Sequence, residues 1–262
     1  VSKTAAKSRR SRSGWTAEAA RDEADGAAYE EKGGQLVTKT DSYEALSHEL
    51  AETIVKQLRE KPNSCFGLPT GRTPLGCYSL LSQWSEMRTL DWSRARCFQL
   101  DEYIDPADRS MTFEHFLEQN LFKHTNLPVE NRFNPKQCDH YDDLIQGYGG
   151  LDLTVLGIGS NGHIAFNEPG TIRSSWTHCL WLTESTREAN KSYFGGQPRV
   201  PKRAITMGIQ TILNSSKLIL IASGIKKREI LERAMLGPVC PEIPASFLSL
   251  HPHVTVITDF NI

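Results

Sequence analysis

The sequence predicts an α/β protein of three layers, a mostly parallel sheet with helices on both faces. Two observations carry that expectation. Short apolar runs alternate along the chain with stretches of helical period. The strongest runs, Cys65–Leu68, Leu151–Leu156 and Lys217–Ala222, each pass into a glycine-bearing turn. A strand, a turn at its carboxyl end and then a helix make the repeating unit of a parallel sheet.

Residues 1–34 differ from the rest and are assigned to a flexible N-terminal extension. KSRRSRS at Lys7–Ser13 is dense in charge and serine, a composition that cannot bury a core. The Ala, Glu and Asp-rich run that follows predicts a short helix, ended by Gly33-Gly34. Residues 35–262 are then assigned to a single α/β catalytic domain, long enough for one well-buried core.

Within that domain Gln35–Thr40 alternates like a strand. Asp41–Glu60 places Ala45, Leu46, Leu50, Ile54 and Leu58 on one stripe behind a cap at Asp41 or Ser42, which predicts a helix. Cys65–Leu68 reads as a strand and Pro74–Met87 as a helix opened by proline. Ala95–Leu100 reads as a strand ending at Asp101-Glu102, with helices at Met111–Lys123 and Lys136–Gly147. Leu151–Leu156 is a buried strand ending in Gly157-Ile158-Gly159. Lys217–Ala222 repeats the arrangement, with Gly224 and a helix from Lys226 to Leu236, and Val254–Thr258 is the final strand.

Composition excludes several classes of function. Lys and Arg number 30 against 31 Asp and Glu, a net charge of -1. Such a balance gives no basis for affinity to nucleic acid or to a charged membrane surface. No apolar run reaches the roughly 18–20 residues of a membrane span, and no signal-peptide pattern is present. The six cysteines form no C-x-x-C pair and no Cys/His cluster of zinc-like spacing, so no metal is expected. Buried, reduced thiols fit a cytoplasmic protein.

In open α/β sheets ligands bind beyond the carboxyl ends of the strands, and four such ends carry informative residues. Gly67 to Pro74 joins a glycine turn and hydroxyls to a helix N-terminus, which suits an anion such as phosphate. Thr70, Gly71, Arg72 and Thr73 are its candidate ligands, with Arg72 able to grip an anion through two N–H groups. The same residues also suit a tight turn with a capping threonine, and the P-loop spacing is absent. Asp101-Glu102 puts two carboxylates at one strand end, where one can serve as a general base and where a helix cap is the plain alternative.

The third end, Gly157 to Pro169, matches G-x-G-x-x-G by spacing alone. A dinucleotide fingerprint needs a helix to open at the last glycine, and Pro169-Gly170 follows too soon for one. The segment reads instead as a loop bearing His163 and Glu168, which are expected to pair, the carboxylate orienting the ring. At the fourth end, Gly224-Ile225-Lys226-Lys227, a lysine at a helix start opposes the helix dipole, a cost that a nearby phosphate offsets.

These pieces in this order resemble the glucosamine-6-phosphate deaminase family, and somewhat less closely the galactosamine-6-phosphate deaminase/isomerases. The matching stretches are GLPTGRTP (67–74), FQLDEY (98–103), GGLDLTVLGIGSNGHIAFNEPG (149–170), TREAN (186–190), ASGIKK (222–227) and IPASFLSLHPHVTVITD (243–259). The resemblance implies a reaction that turns an amino-sugar 6-phosphate into a ketose 6-phosphate and ammonia, without a cofactor. It implies Asp101 as the base moving a proton from C2 to C1, and His163 as the group assisting ring opening. Glu168 would tune His163, with Asn161 beside it. Thr70–Thr73, Gly162 and Lys227 would bind the substrate and its phosphate. A small-molecule sugar phosphate is thus the expected partner, and a homo-oligomer stays open because members differ in assembly.

Three departures from the family pattern matter. Glucosamine members usually carry Asp where this chain has Asn161, and an amide supplies no negative charge, so the pKa of His163 should fall. The arginine that usually follows TREAN is missing, since Asn190-Lys191-Ser192 stands there. Arg72 is the candidate replacement. Trp176, His178 and Leu180 do not match the basic residues that bind an allosteric activator in some bacterial members. Two alternatives compete. 6-Phosphogluconolactonases usually show D-G-H-T-A-S-L-F-P, which has no counterpart to Glu168. A non-catalytic sugar-phosphate sensor needs a DNA-binding module for which residues 1–34 are too short.

Overall fold

The structure is a computed structural model that describes residues 28–32, 35–191 and 200–262. Lys7–Ser13, Gly33-Gly34 and Ser192 lie outside the described residues. The chain opens with β1 (Ala28–Lys32) and β2 (Gln35–Lys39), paired antiparallel from Ala28 opposite Lys39 to Lys32 opposite Gln35. Of the short helix expected before Gly33, residues 28–32 form an edge strand instead, and residues 17–27 lie outside the described residues. Backbone pairing to β2 outweighs the poor strand propensity of AYEEK.

Helix α1 (Tyr43–Glu60) starts where Ser42 accepts from the Ala45 N–H, and it buries Leu46, Leu50, Ile54 and Leu58. After β3 (Cys65–Leu68) comes α2 (Leu75–Glu86), then β4 (Arg96–Gln99). The strand expected over Ala95–Leu100 stops at Gln99, and Asp101–Tyr103 is a separate strand, β5, in a second sheet. The helix expected over Met111–Lys123 is shorter, α3 (Phe113–Asn120), flanked by 3₁₀ turns at Arg109–Met111 and Phe122–His124. A two-residue strand β6 (Arg132–Phe133) precedes α4 (Tyr141–Gly147), so the helix expected from Lys136 begins later, after a 3₁₀ turn at Pro135–Gln137.

The second half contains β7 (Leu153–Gly157), β8 (His178–Trp181), α5 (Glu184–Asn190), β9 (Arg203–Thr206) and α6 (Ile209–Leu213). It closes with β10 (Leu218–Ala222), α7 (Arg228–Leu236) and β11 (Val254–Thr258). Lys226 and Lys227 sit in a 3₁₀ turn ahead of α7 rather than inside it.

The main sheet has the order β1-β2-β11-β10-β7-β3-β4-β6. Every pairing except β1 with β2 is parallel. Side-chain alternation divides the core between its two faces. Leu218, Leu220 and Leu156 join one cluster with Leu231, Ala234 and Phe247. Ile219, Ile221, Leu153 and Val155 join the other with Leu46, Leu50, Ile54 and Leu81. Helices therefore cover both faces, as a strand apolar on both sides requires. The second sheet, β5-β9-β8, is antiparallel. A small cluster of Tyr103, Phe166, Leu182, Val200 and Ala204 packs there.

Chain order reverses around β3. Strands β4 and β6 extend the sheet on one side of it, and the chain returns to place β7, β10 and β11 on the other. Such a switch point opens a crevice at the carboxyl edge of a parallel sheet.

Candidate functional site

Strands β10, β7, β3 and β4 are consecutive neighbours and run parallel. Their carboxyl ends therefore share one edge. The segments after those ends are the ones singled out in the sequence: Gly224–Lys227, Gly157–Glu168, Pro69–Thr73 and Asp101.

The loop after β3 is braced from below. Tyr78 donates to the Pro69 carbonyl at 2.6 Å, and Tyr43 donates to the Arg72 carbonyl at 3.1 Å. Gly71 adopts φ 99°, the left-handed region that glycine tolerates. The N–H groups of Leu75 and Gly76, in the first turn of α2, already donate to Arg72 and to the Tyr43 hydroxyl. The expected helix N-terminus is thus partly satisfied within the protein. What the loop presents is Thr70, Gly71 and Thr73, partly exposed, and the exposed Arg72.

Lys227 is bonded to the segment after β7 and feels the charge of Arg72 in this loop. Its Nζ donates to the Ile158 carbonyl at 2.8 Å. Burial, and then the nearby Arg72 guanidinium, push its ammonium pKa below the ordinary lysine value. Two cations from β3 and β10 are close enough to feel each other, an arrangement that an anion between them relieves. Lys226 is exposed and takes no such position.

Asp101 is 8 % exposed, and its carboxylate accepts no hydrogen bond among the described residues. Burial, and after it the charge of Glu102, hold its pKa well above the usual carboxylate range. Glu102 behaves differently although it is the adjacent residue. Its Oε1 accepts from the Tyr103 and Phe113 N–H groups at 2.8 and 3.0 Å. Its Oε2 accepts from the Glu114 N–H at 2.8 Å and the Asn134 amide at 3.3 Å. Glu102 is thus a buried clamp on the N-terminus of α3, the helix-cap alternative read at this strand end. Glu102→Gln would turn an NH₂ toward one pair of these donors. A loss of about 2–3 kcal/mol in unfolding free energy is expected in denaturant titration; a change within about 0.5 kcal/mol would contradict the clamp.

The loop after β7 holds the imidazole, and here the sequence expectation is refined. His163 and Glu168 do not pair directly. Asn161 stands between them, its Nδ2 donating to Glu168 Oε2 at 2.9 Å. Its Oδ1 lies 2.7 Å from His163 Nδ1 and accepts the His163 backbone N–H at 3.2 Å. A carboxylate only accepts, so the amide must turn its oxygen to the ring. Nδ1 is then the protonated nitrogen, and Nε2 keeps its lone pair. The His163 pKa lies below the ordinary value. Burial is the first cause, Glu168 opposes it, and Lys227 adds to it. The direction is the one expected from an uncharged Asn161, but burial is the leading cause.

Local packing explains the loop. The His163 ring lies over Gly159, where a Cβ would come within 2.3 Å of a ring carbon. Gly162, at φ 87°, is pressed against Ile243, and its N–H and C=O bond to Gly159 and Ala245. Both of its backbone groups are engaged within the protein, which makes it a turn and packing position. Phe166 packs near-parallel to Phe113 at 5.6 Å, and Asn167 donates to the Ile164 and Met207 carbonyls. These contacts tie the loop to β9 and α3.

Thr186 on α5 went unnoticed in the sequence. It is 4 % exposed, and its hydroxyl donates to Glu168 Oε1. No spacing rule links residue 186 to residue 168. The only available signal was a hydroxyl near the start of a predicted motif, TREAN.

Elsewhere, a cleft of about 780 Å³ is lined by Tyr141, Asp142, Trp176, His178 and Cys179 among others. The Asp142 carboxylate there is already taken by Thr177 and Thr211. Among the described residues no group of His, Cys, Asp and Glu could hold a metal ion, and no helix is long and apolar enough to cross a membrane.

Fold and site together define a class, α/β enzymes of the sugar-phosphate isomerase type with their chemistry at the carboxyl edge of a parallel sheet. Residues 37–257 match the profile of the family described as glucosamine-6-phosphate isomerases/6-phosphogluconolactonase, and the chain belongs to that family. It is 44% identical over 235 residues to a glucosamine-6-phosphate deaminase of Lachnoclostridium phytofermentans, covering 86% of this chain and 99% of the relative. A glucosamine-6-phosphate deaminase of Clostridioides difficile is 42% identical over 226 residues, covering 83% and 91%. Among solved structures, a monomeric glucosamine-6-phosphate deaminase superposes with TM-score 0.80 at 37% identity, covering 85% of this chain and 96% of that one. A 6-phosphogluconolactonase from Trypanosoma cruzi shares the fold, with TM-score 0.67 at 18% identity.

Proposed function

We propose that this chain is an amino-sugar-6-phosphate deaminase, with glucosamine 6-phosphate as its preferred substrate. One observation carries the reading. Four neighbouring strand ends bring a buried carboxylate, an oriented imidazole and two cations to one edge of the sheet. The names of the relatives select the amino sugar over the lactone.

In this reading Arg72, Lys227 and the Thr70–Thr73 loop hold the phosphate. His163 Nε2 takes the proton of the C1 hydroxyl and returns it to the ring oxygen as the ring opens. Asp101 takes the proton from C2 and delivers it to C1, and a proton given up by the nitrogen goes to O1, which leaves a C1 hydroxyl and an imine at C2. Water adds to that carbon, and the nitrogen departs as ammonia, leaving the ketose 6-phosphate. Glu168 and Asn161 hold the ring without touching the sugar. Six cysteines without a disulfide among them favour a reducing compartment such as the cytosol.

Ammonia and ketose phosphate should appear from glucosamine 6-phosphate, and more slowly from galactosamine 6-phosphate. Hydrolysis of 6-phosphogluconolactone with no ammonia release from either amino sugar would overturn the reading. Arg72→Ala is expected to raise KM about tenfold or more with a smaller change in kcat, as loss of a charge-assisted contact to phosphate implies. An unchanged KM would remove Arg72 from the site. A sedimenting mass near 29.4 kDa would set aside a homo-oligomer and match the relative described as monomeric.

A further inference from the structure

Glu168 is held at both oxygens by residues from different parts of the chain. Oε2 accepts from Asn161 in its own loop, and Oε1 accepts from Thr186 on α5. Its backbone carbonyl is fixed as well, accepting from the Thr171 N–H and hydroxyl at 3.0 and 2.7 Å. Thr186 is itself set in place, since its backbone N–H donates to the Thr183 hydroxyl that caps α5. Four residues further along its helix, Asn190 donates to the Tyr103 hydroxyl.

We infer that Thr186 is a positioning residue that fixes the imidazole tautomer of His163, acting through Glu168 and Asn161. The proposal rests on the functional reading above only for its effect on turnover. An amide has two faces of opposite polarity and no intrinsic preference between them. With Glu168 Oε2 aimed at Asn161, only the NH₂ side can face the carboxylate, so the oxygen faces His163 Nδ1. Without the Thr186 hydroxyl, Oε1 loses its donor and the carboxylate is free to turn. Asn161, then held only by the 3.2 Å bond from the His163 N–H to its Oδ1, can present NH₂ to the ring by giving up that bond. Nδ1 becomes an acceptor, the proton moves to Nε2, and the lone pair that would face a ligand is gone.

Thr186→Val removes the hydroxyl and keeps the shape. The test has two readouts. The first is ¹⁵N NMR of the ligand-free protein, with the His163 signals assigned by their loss in His163→Gln. Wild type should show the Nδ1–H tautomer, and Thr186→Val a substantial population of Nε2–H. Thr186→Ser should return to the wild-type pattern. The second is turnover, where kcat should fall about ten- to hundredfold in Thr186→Val with KM little changed, and recover in Thr186→Ser. A folded Thr186→Val protein with wild-type tautomer and kcat would overturn the proposal. So would an Nε2–H tautomer in wild type, a result obtainable even if the valine variant does not fold. Because the tautomer is read without substrate, a failure of ammonia release in wild type stands apart as a failure of the functional reading.

Discussion

Asp101→Asn is expected to lower kcat about 10³-fold, the range lost when a general base is removed. Its carboxylate is buried and unsupported by hydrogen bonds from the described residues, which is costly for a charge and useful for a base. A carboxylate with a raised pKa binds a proton more strongly, so in an active site it abstracts one more readily. Activity should fall as pH drops through that raised value, and the acid limb of kcat/KM should lie above the ordinary carboxylate range. The same shift acts on stability. The folded pKa exceeds the unfolded one, so the folded state holds its proton after the unfolded state has lost it. Below the unfolded pKa both states are protonated and there is no penalty. Above it the wild type loses stability as pH rises, until the folded pKa is passed. Asparagine has no such dependence. The difference in unfolding free energy should therefore move toward the variant as pH rises across that window. Full activity in the variant would remove Asp101 from the chemistry, and a pH-independent difference would show that its pKa is not raised.

Gly159→Ala is expected to cost about 10²-fold in kcat while leaving the protein folded. Gly159 is not in the left-handed region, so alanine meets no backbone penalty there. The obstacle is the imidazole. An added Cβ would lie 2.3, 2.4 and 2.5 Å from Cε1, Nδ1 and Nε2 of His163. The ring must move by roughly 1 Å to restore contact distance, a displacement that can cost about 10²-fold in a catalytic geometry. Gly157→Ala is the control, because no atom lies within 4 Å of its Cβ position. It should keep near wild-type kcat. Equal kcat in the two variants, both folded, would argue that the placement of His163 does not govern the rate.

The parallel strands were legible because burial on both faces leaves continuous apolar runs, as in LTVLG and LILIA. Helix α1 was legible from its stripe and cap. The second sheet was not. HCLW and RAIT are four residues each, without a repeated alternation, and their pairing is tertiary, RAIT with Asp101–Tyr103 and HCLW with RAIT. The strand at Ala28–Lys32 was hidden for a similar reason, since an acidic sequence became a strand only through its neighbour. Within the site, strand ends pointed to Asp101, His163, Lys227 and Arg72. Sequence spacing did not reveal which side chains touch. Asn161 and His163 are two residues apart, and Thr186 meets Glu168 from 18 residues away. Glu102 shows the same limit, because its four partners come from α3, Tyr103 and Asn134.

The amide of Asn161 has one more consequence. A carboxylate in its place could take up a proton from the ring, but a primary amide has no protonation equilibrium near neutral pH. Asn161 therefore transmits orientation from Glu168 to His163 while insulating the two from proton exchange. Any proton gained at Nε2 must leave by the same nitrogen, toward ligand or solvent. The loop works as a one-port device: the interior sets the direction of the ring, and all proton traffic passes through the single face that a substrate would meet.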